Sequence, residues 1–220
     1  MNVAIITANI GGIDEVKPFP GQHKLEEVHQ DYFCIEEHQL REVLKKEGLG
    51  SANDRLASRC PKFMAHKLLP GYDVYIWLDA RVYVVDKDFT GFMLDNLEEV
   101  KIALHPDRQT IGEETEHILE RLKNNDEYLL PRMNIEDIEK QKAVIGEKSD
   151  LPIYCLRVFS RINSEKVNEF YEKIWQHCLD YGDYDQLMWA YECDRMGIKV
   201  NTYIETGNPY YKIDKHKILK

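Results

Sequence analysis

The most informative stretch of the chain is Val74-Tyr75-Ile76-Trp77-Leu78-Asp79-Ala80-Arg81, an apolar run that ends in an acidic and a basic residue. Successive side chains of a β-strand point to opposite faces. The valine, isoleucine and leucine of the run would therefore share one face, and the tyrosine and tryptophan the other. Because both faces are bulky and apolar, we predict a central strand, within a strand-forming segment of residues 72–85.

On either side of this run, strand-like segments alternate with segments of helical periodicity. The predicted strands are 3–8, 31–35, 72–85, 100–104, 151–160 and 198–204, and the predicted helices are 37–46, 54–69, 113–124, 164–178 and 185–196. Pro61 should break the second helix or start a turn of helix there, and residues 125–150 should form a loop-helix-loop insertion. The alternation predicts an α/β protein whose mainly parallel sheet is covered by helices on both faces.

Composition limits the function further. A chain of 220 residues fits one domain, 1–220. Its net charge of −10 is spread along the chain, which argues against nucleic acid as a partner. No segment is apolar for long enough to span a membrane, and the first 20 residues lack the pattern of a signal peptide. The five cysteines are widely spaced, as expected for free thiols. We therefore expect a cytoplasmic protein.

The carboxyl ends of the predicted parallel strands are the expected ligand site. They carry residues 7–12, 79–81 and 105–108. Asp79 needs an explanation, because a carboxylate at the end of an apolar strand costs several kcal/mol unless it is paired or bound to a cation. An ion pair with Arg81 or Lys62 explains it as well as a functional role does.

A family resemblance favours the functional role. The chain carries, in order, Thr7-Ala8-Asn9-Ile10-Gly11-Gly12-Ile13-Asp14, Arg59-Cys60-Pro61-Lys62, Trp77-Leu78-Asp79, His105-Pro106-Asp107-Arg108 and Asp185-Gln186. These motifs resemble a glycosyltransferase-like branch known from plant wall and mucilage proteins, and small glycosyltransferases of algal viruses. The resemblance implies a GT-A, Rossmann-like single domain with a mixed sheet. It also allows a viral protein that acts in the cytoplasm of its host.

The same resemblance implies roles for individual residues. Asp79 would hold Mn²⁺ or Mg²⁺ against the pyrophosphate of a nucleotide-sugar donor, and Asp185 would act as the general base. The other predicted donor-binding residues are Thr7, Ala8, Asn9, Gly11, Arg59, Lys62, Leu78, Arg81, His105 and Arg108. Each has a plain structural alternative, such as a strand-end turn or a solvated cation. Arg81 stands where GT-A enzymes usually carry a second carboxylate, and His216 is a further candidate metal ligand.

The predicted function is transfer of a hexosyl or deoxyhexosyl group from a nucleotide-diphosphate sugar, with UDP favoured, to a hydroxyl of a glycan or glycoprotein. Inversion at the anomeric carbon is the preferred outcome. Nucleotide-sugar hydrolysis or nucleotidyl transfer would use the same fold. A catalytically silent nucleotide-sugar-binding module is the alternative from another functional class, because the second strand carboxylate is missing.

Overall fold

The computed structural model describes residues 1–11, 16–130, 133–182 and 184–214. Six strands form the main sheet, and two short strands pair separately as an antiparallel ribbon. The strands are β1 (Asn2–Ala8), β2 (His29–Ile35), β3 (Val74–Asp79), β4 (Val82–Val84), β5 (Val100–Leu104), β6 (Tyr154–Ile162), β7 (Val200–Ile204) and β8 (Tyr211–Ile213). The main sheet has the order β2-β1-β3-β6-β5-β7, and β4 pairs with β8.

The main sheet is mixed, because one of its strands runs against the others. β1 is parallel to both β2 and β3, and β5 is parallel to β7. β6 is antiparallel to its two neighbours, β3 and β5. The carboxyl ends of β1, β3, β5 and β7 therefore lie at one edge of the sheet. The start of β6 lies at that same edge.

Helices and loops cover both faces of the sheet. The helices are α1 (Glu37–Lys46), α2 (Asp54–Phe63), α3 (Ala65–Leu68), α4 (Phe89–Leu94), α5 (Ile111–Lys123), α6 (Ile135–Ile145), α7 (Glu165–Tyr181) and α8 (Asp185–Met196). The larger core holds side chains of α1, α2, α7 and α8, and the smaller one holds α4 and the β4–β8 ribbon. None of the helices in the described residues is long and apolar enough to cross a bilayer.

Strand β3 divides its side chains between the two cores as its alternation predicts. Tyr75 and Trp77 pack in the larger core, and Val74, Ile76 and Leu78 pack in the smaller one. Burying an apolar side chain of this size contributes about 1.5–3 kcal/mol, so this strand contributes to stability on both faces. The prediction of a central strand in an α/β protein with a mixed, mainly parallel sheet is confirmed.

Two local predictions were wrong. The segment 72–85 is not one strand, because β3 ends at Asp79 and Val82–Val84 leave the main sheet to pair with β8. Arg81 therefore lies in a turn. Pro61 neither breaks its helix nor starts a new turn, since α2 continues through it to Phe63. A proline there gives up the N–H bond to Ala57, which is tolerable so close to the end of the helix. That one domain spans residues 1–220 stays a prediction.

Candidate active site

A cavity of about 750 Å³ opens at the edge of the sheet where β1, β3 and β5 end. This is the edge at which α/β sheets usually bind ligands. Nine of the predicted site residues line the cavity: Ala8, Asn9, Arg59, Lys62, Asp79, Arg81, His105, Arg108 and Asp185. The fold thus brings together residues that are far apart in sequence, such as Ala8 and Asp185, which are 177 positions apart.

Three predicted donor-binding residues do not line the cavity. Leu78 is buried in the smaller core, and Thr7 lies opposite it in the register between β1 and β3. Because strand side chains alternate, neither side chain points toward Trp77 and the larger core. Gly11 adopts a φ of +74°, which favours glycine, and its N–H donates to Glu37 Oε2 at 3.1 Å. That Thr7, Gly11 and Leu78 contact the donor stays a prediction.

The cavity is basic although the chain is acidic. Seven arginine and lysine side chains line it: Arg55, Arg59, Lys62, Arg81, Arg108, Arg121 and Arg157. Five carboxylates line it among the described residues: Asp54, Asp79, Asp107, Glu114 and Asp185. The whole chain, by contrast, has 29 basic and 39 acidic residues. A concave surface with local excess positive charge attracts anionic ligands.

Asp185 pairs with residues on the basic face of α2, which carries Arg55, Arg59 and Lys62. It is the first residue of α8 and only 5% exposed, and its Oδ2 lies 2.8 Å from Lys62 Nζ and 3.2 Å from Arg59 Nε. Burial alone would raise the pKa of Asp185, but the positive charges of Arg59 and Lys62 hold it below its ordinary value. The carboxylate is charged and serves as the counter-ion of both cations.

Asp79 projects into the cavity from the end of β3. Its Oδ1 accepts a hydrogen bond of 2.8 Å from the indole Nε1 of Trp77. Neither of the ion pairs considered from the sequence is found, since Lys62 pairs with Asp185 instead, and no ion pair joins Arg81 to a described carboxylate. One oxygen of Asp79 is therefore occupied by the indole.

An ion pair between a half-buried arginine and a buried glutamate lies beside Asp79 at the start of β6. Arg157 pairs with Glu205, which follows β7 and is 8% exposed, and its guanidinium lies 3.0 Å from the Cys155 sulfur. Burial would lower the pKa of Arg157, but Cys155, Glu205 and Asp79 raise it. For Glu205, burial raises the pKa more than the guanidinium of Arg157 lowers it. Arg157 thus stays charged next to Asp79.

The wall across from β3 is a polar network. His105 Nδ1 accepts hydrogen bonds from the backbone N–H groups of Asp107 and Arg108, both at 3.2 Å. Burial, followed by the charge of Arg108, lowers the pKa of His105 to about 4, so the ring is neutral at pH 7. Arg108 pairs with Glu114, which also accepts a hydrogen bond from Tyr184.

Sequence reasoning missed several lining residues. Arg55 precedes Arg59 by four positions and Lys62 by seven, so that all three share one face of α2. That spacing indicates from the sequence alone that Arg55 belongs to the same basic face of the helix. Arg157 lies in a strand and Glu114 and Arg121 lie in a helix, all outside the recognised motifs, so their place in the site could not be read from local patterns. Gly12 and His216, both named from the sequence, lie outside the described residues.

The family profile of the TOD1/MUCI70, glycosyltransferase-like domain matches residues 32–209. The chain belongs to this family. The glycosyltransferase resemblance predicted from the motifs is thereby confirmed, and the matched region includes β3, α2 and the first turn of α8. No curated protein sequence matches the chain significantly.

Three solved structures are similar in fold to this TOD1/MUCI70-family chain. Mouse xyloside xylosyltransferase 1 in its apo form has a TM-score of 0.47 at 9% identity, with 92% of this chain and 85% of that chain covered. Core-mannan synthase A from Aspergillus fumigatus, in its Mn/GDP form, has a TM-score of 0.43 at 13% identity, with 92% of this chain and 73% of that chain covered. A glycosyltransferase involved in the glycosylation of the major capsid of PBCV-1 has a TM-score of 0.42 at 10% identity, with 92% of this chain and 82% of that chain covered.

The donor set around Asp79 does not by itself fit a resident divalent ion. Mn²⁺ and Mg²⁺ prefer several oxygen ligands. Within the described parts of this TOD1/MUCI70-family chain, no group of three or more His, Cys, Asp or Glu residues could hold a metal. One oxygen of Asp79 accepts from Trp77, and Arg81 and Arg157 bring positive charge to the same place. Metal binding at Asp79 stays a prediction.

Proposed function

We propose that this chain transfers a sugar from a nucleotide-diphosphate donor to a hydroxyl group of a glycan or glycoprotein. The observation that carries the proposal is the basic cavity at the carboxyl ends of the strands, within a chain of net charge −10. A diphosphate is the anionic part of such a donor, and a local cationic surface is what it requires. The family profile supports glycosyl transfer as the reaction class.

The donor's diphosphate would lie between the β3 end, with Asp79 and Arg81, and the basic face of α2. In the reaction, the bond between the anomeric carbon and the diphosphate oxygen breaks, and its electron pair remains on that oxygen. The acceptor's hydroxyl oxygen forms the new bond, and its proton passes to the departing diphosphate or, if the predicted general-base role holds, to Asp185. Fixed cations in the cavity would stabilise the charge that develops on the leaving diphosphate. Asn9, which follows the carboxyl end of β1, would face the nucleoside.

Asp185 enters the proposal chiefly as a positioning residue. Its contacts with Arg59 and Lys62 direct both cations to the cavity wall. Its lowered pKa makes it a weak proton acceptor while both cations stay in place. The general-base role of Asp185 and inversion at the anomeric carbon stay predictions, as do the preference for UDP, the hexosyl or deoxyhexosyl group and a cytoplasmic location.

The proposal is tested with a panel of UDP- and GDP-sugars, each incubated with and without a mixture of glycan acceptors. We expect nucleoside diphosphate release that depends on the acceptor, together with a glycosylated product found by mass spectrometry. Release of free monosaccharide regardless of acceptor would establish hydrolysis instead. Donor binding without turnover on any acceptor would establish a silent binding module.

Asp79→Ala tests the position of the site. We expect this variant to lose most donor binding and transfer, because it removes the carboxylate at the end of β3. Asp73→Ala, which removes a carboxylate just before the same strand and outside the cavity, is the matched control and should retain both. Unchanged donor binding and transfer by Asp79→Ala would show that the site lies elsewhere.

A further inference from the structure

Arg81 differs from the other basic residues around Asp79. It lies two positions after Asp79, it lines the cavity, and it is half-buried. Its guanidinium has no carboxylate at ion-pair distance among residues 1–11, 16–130, 133–182 and 184–214. Its charge helps to lower the pKa of Glu205, but that carboxylate is already paired with Arg157. A guanidinium in this setting has donors available for a ligand.

The geometry of arginine suits phosphate. Its planar fork can donate two parallel hydrogen bonds to phosphate oxygens, and it keeps its charge at any ordinary pH. Arg157 adds a second guanidinium at the same edge of the sheet, and its charge acts on Asp79. The basic face of α2 adds Arg59 and Lys62 from the facing wall. Positive charge therefore surrounds the place where a divalent ion would have to sit.

The same charges oppose a metal. A divalent cation next to Asp79 would face repulsion from Arg81 and Arg157, with a single carboxylate to offset it. Glu205 could not easily help, because its carboxylate is engaged by Arg157 in a buried pair. A nucleotide-sugar diphosphate, by contrast, carries a negative charge on each phosphate and would be attracted by all of these cations.

We propose that side-chain cations, with Arg81 foremost, neutralise the donor diphosphate in this chain, so that binding and departure of the nucleoside diphosphate do not require a divalent ion. This inference rests on the proposed function. Arg81 occupies the position at which a second metal-binding carboxylate was expected, and it would supply directly the positive charge that a metal would otherwise supply. Asp79 would then keep Arg157 oriented and accept hydrogen bonds from donor hydroxyl groups.

Calorimetric titration of the full chain with UDP, and with GDP in parallel, tests the inference without any turnover. Each titration is run in buffer with EDTA and in buffer with Mn²⁺ or Mg²⁺. We expect binding in EDTA, with a dissociation constant that changes by less than about tenfold when the metal is present. Raising the ionic strength should weaken the binding in both buffers, because the contacts are charge pairs.

Three variants connect the binding to Arg81. Arg81→Gln should weaken nucleotide binding in EDTA by about ten- to a hundredfold, the usual effect of losing a hydrogen bond to a charged group. Arg81→Lys should have a nucleotide affinity in EDTA between those of Arg81→Gln and the wild type, because lysine keeps the charge but lacks the forked guanidinium. Lys87→Gln removes the same charge from an exposed position outside the cavity and should bind like the wild type. Circular dichroism melting confirms that each variant folds.

The outcomes separate this inference from the proposed function. Binding of UDP or GDP only when Mn²⁺ or Mg²⁺ is present overturns the inference and leaves the proposed function standing. Wild-type affinity of Arg81→Gln in EDTA also overturns it. Binding of neither nucleotide in either buffer overturns the proposed function, and the inference with it.

Discussion

At the scale of single residues, the most consequential contact is the buried group formed by Asp185, Arg59 and Lys62. A buried charge is costly unless it is paired. Here one carboxylate, 5% exposed, balances two cations, one of which is 3% exposed. The cluster ties the first turn of α8 to α2 across 123 positions of sequence. It therefore contributes both to the fold and to the charge of the cavity.

Asp185→Asn is expected to lower the free energy of unfolding by about 3–5 kcal/mol, because Lys62, which is 3% exposed, would remain buried without its counter-ion. Urea unfolding measures the change. Asp194→Asn removes a carboxylate from the other end of α8, where Asp194 pairs with Lys148 at an exposed site, and should cost less than about 1 kcal/mol. Equal losses in the two variants would contradict the importance assigned to the buried cluster.

His105 predicts a pH dependence of stability. In the fold its pKa is lowered to about 4, whereas in the unfolded chain it is about 6.5. The unfolded state therefore binds a proton first as the pH falls, so stability present above pH 6.5 is lost between about pH 6.5 and pH 4. His105→Asn should lose less stability than the wild type when the pH is lowered over this range. Thermal unfolding across that range measures the difference.

The exposed His38 provides the comparison for that experiment. His38→Asn removes an imidazole from a side chain that is 73% exposed, and it controls for the loss of a histidine as such. The groups that act on His105 are Arg108, Asp107, Arg157 and His117, and none of them is altered by either substitution. An identical pH dependence in His105→Asn and the wild type would show that His105 is not kept neutral by the fold.

At the scale of secondary-structure elements, α2 is the element on which the site depends most. It presents Arg55, Arg59 and Lys62 on one face, while Ala57, Cys60 and Phe63 pack in the larger core. Its first turn is fixed by Asn53, whose side chain accepts a hydrogen bond of 2.8 Å from the N–H of Leu56. The orientation of the basic face therefore depends on an ordinary N-cap.

Asn53→Ala should cost about 1 kcal/mol of stability, the usual value for an N-cap, and should also weaken UDP binding because the basic face of α2 begins to fray. Ser164→Ala removes the N-cap of α7, where the side chain accepts from the N–H of Val167. That helix lies outside the cavity. Ser164→Ala should therefore lose similar stability and keep its affinity for UDP. Calorimetry measures the UDP affinity of the two variants, and urea unfolding measures their stability.

At the scale of the whole molecule, the sheet order explains how distant motifs meet. β1 and β3 are neighbours and parallel, so Ala8 and Asp79 lie side by side in the register. β6 enters between β3 and β5 in the opposite direction, and its first residues thus reach the same edge as the last residues of its neighbours. This reversed strand is what brings Arg157 beside Asp79.

The local patterns predicted most of the elements well. Helices α1 and α8 and strand β5 have the predicted bounds. Periodicity identifies such elements because each buries one face. The turn at Ala80 and Arg81 was missed, since the residues after it are as apolar and β-branched as those before it. Nothing in the local pattern shows that they pair with β8.

By itself, the sequence determined the α/β class, the glycosyltransferase-like family and the strand ends at which a site would form, because apolar periodicity and local motifs are properties of neighbouring residues. Only the tertiary structure decided that Asp185 pairs with Arg59 and Lys62, that Arg81 has no ion-pair partner among the described residues, and that Arg157 joins the site. Charge pairing depends on distances in space, and those follow from the strand order and the packing of α2 against α8.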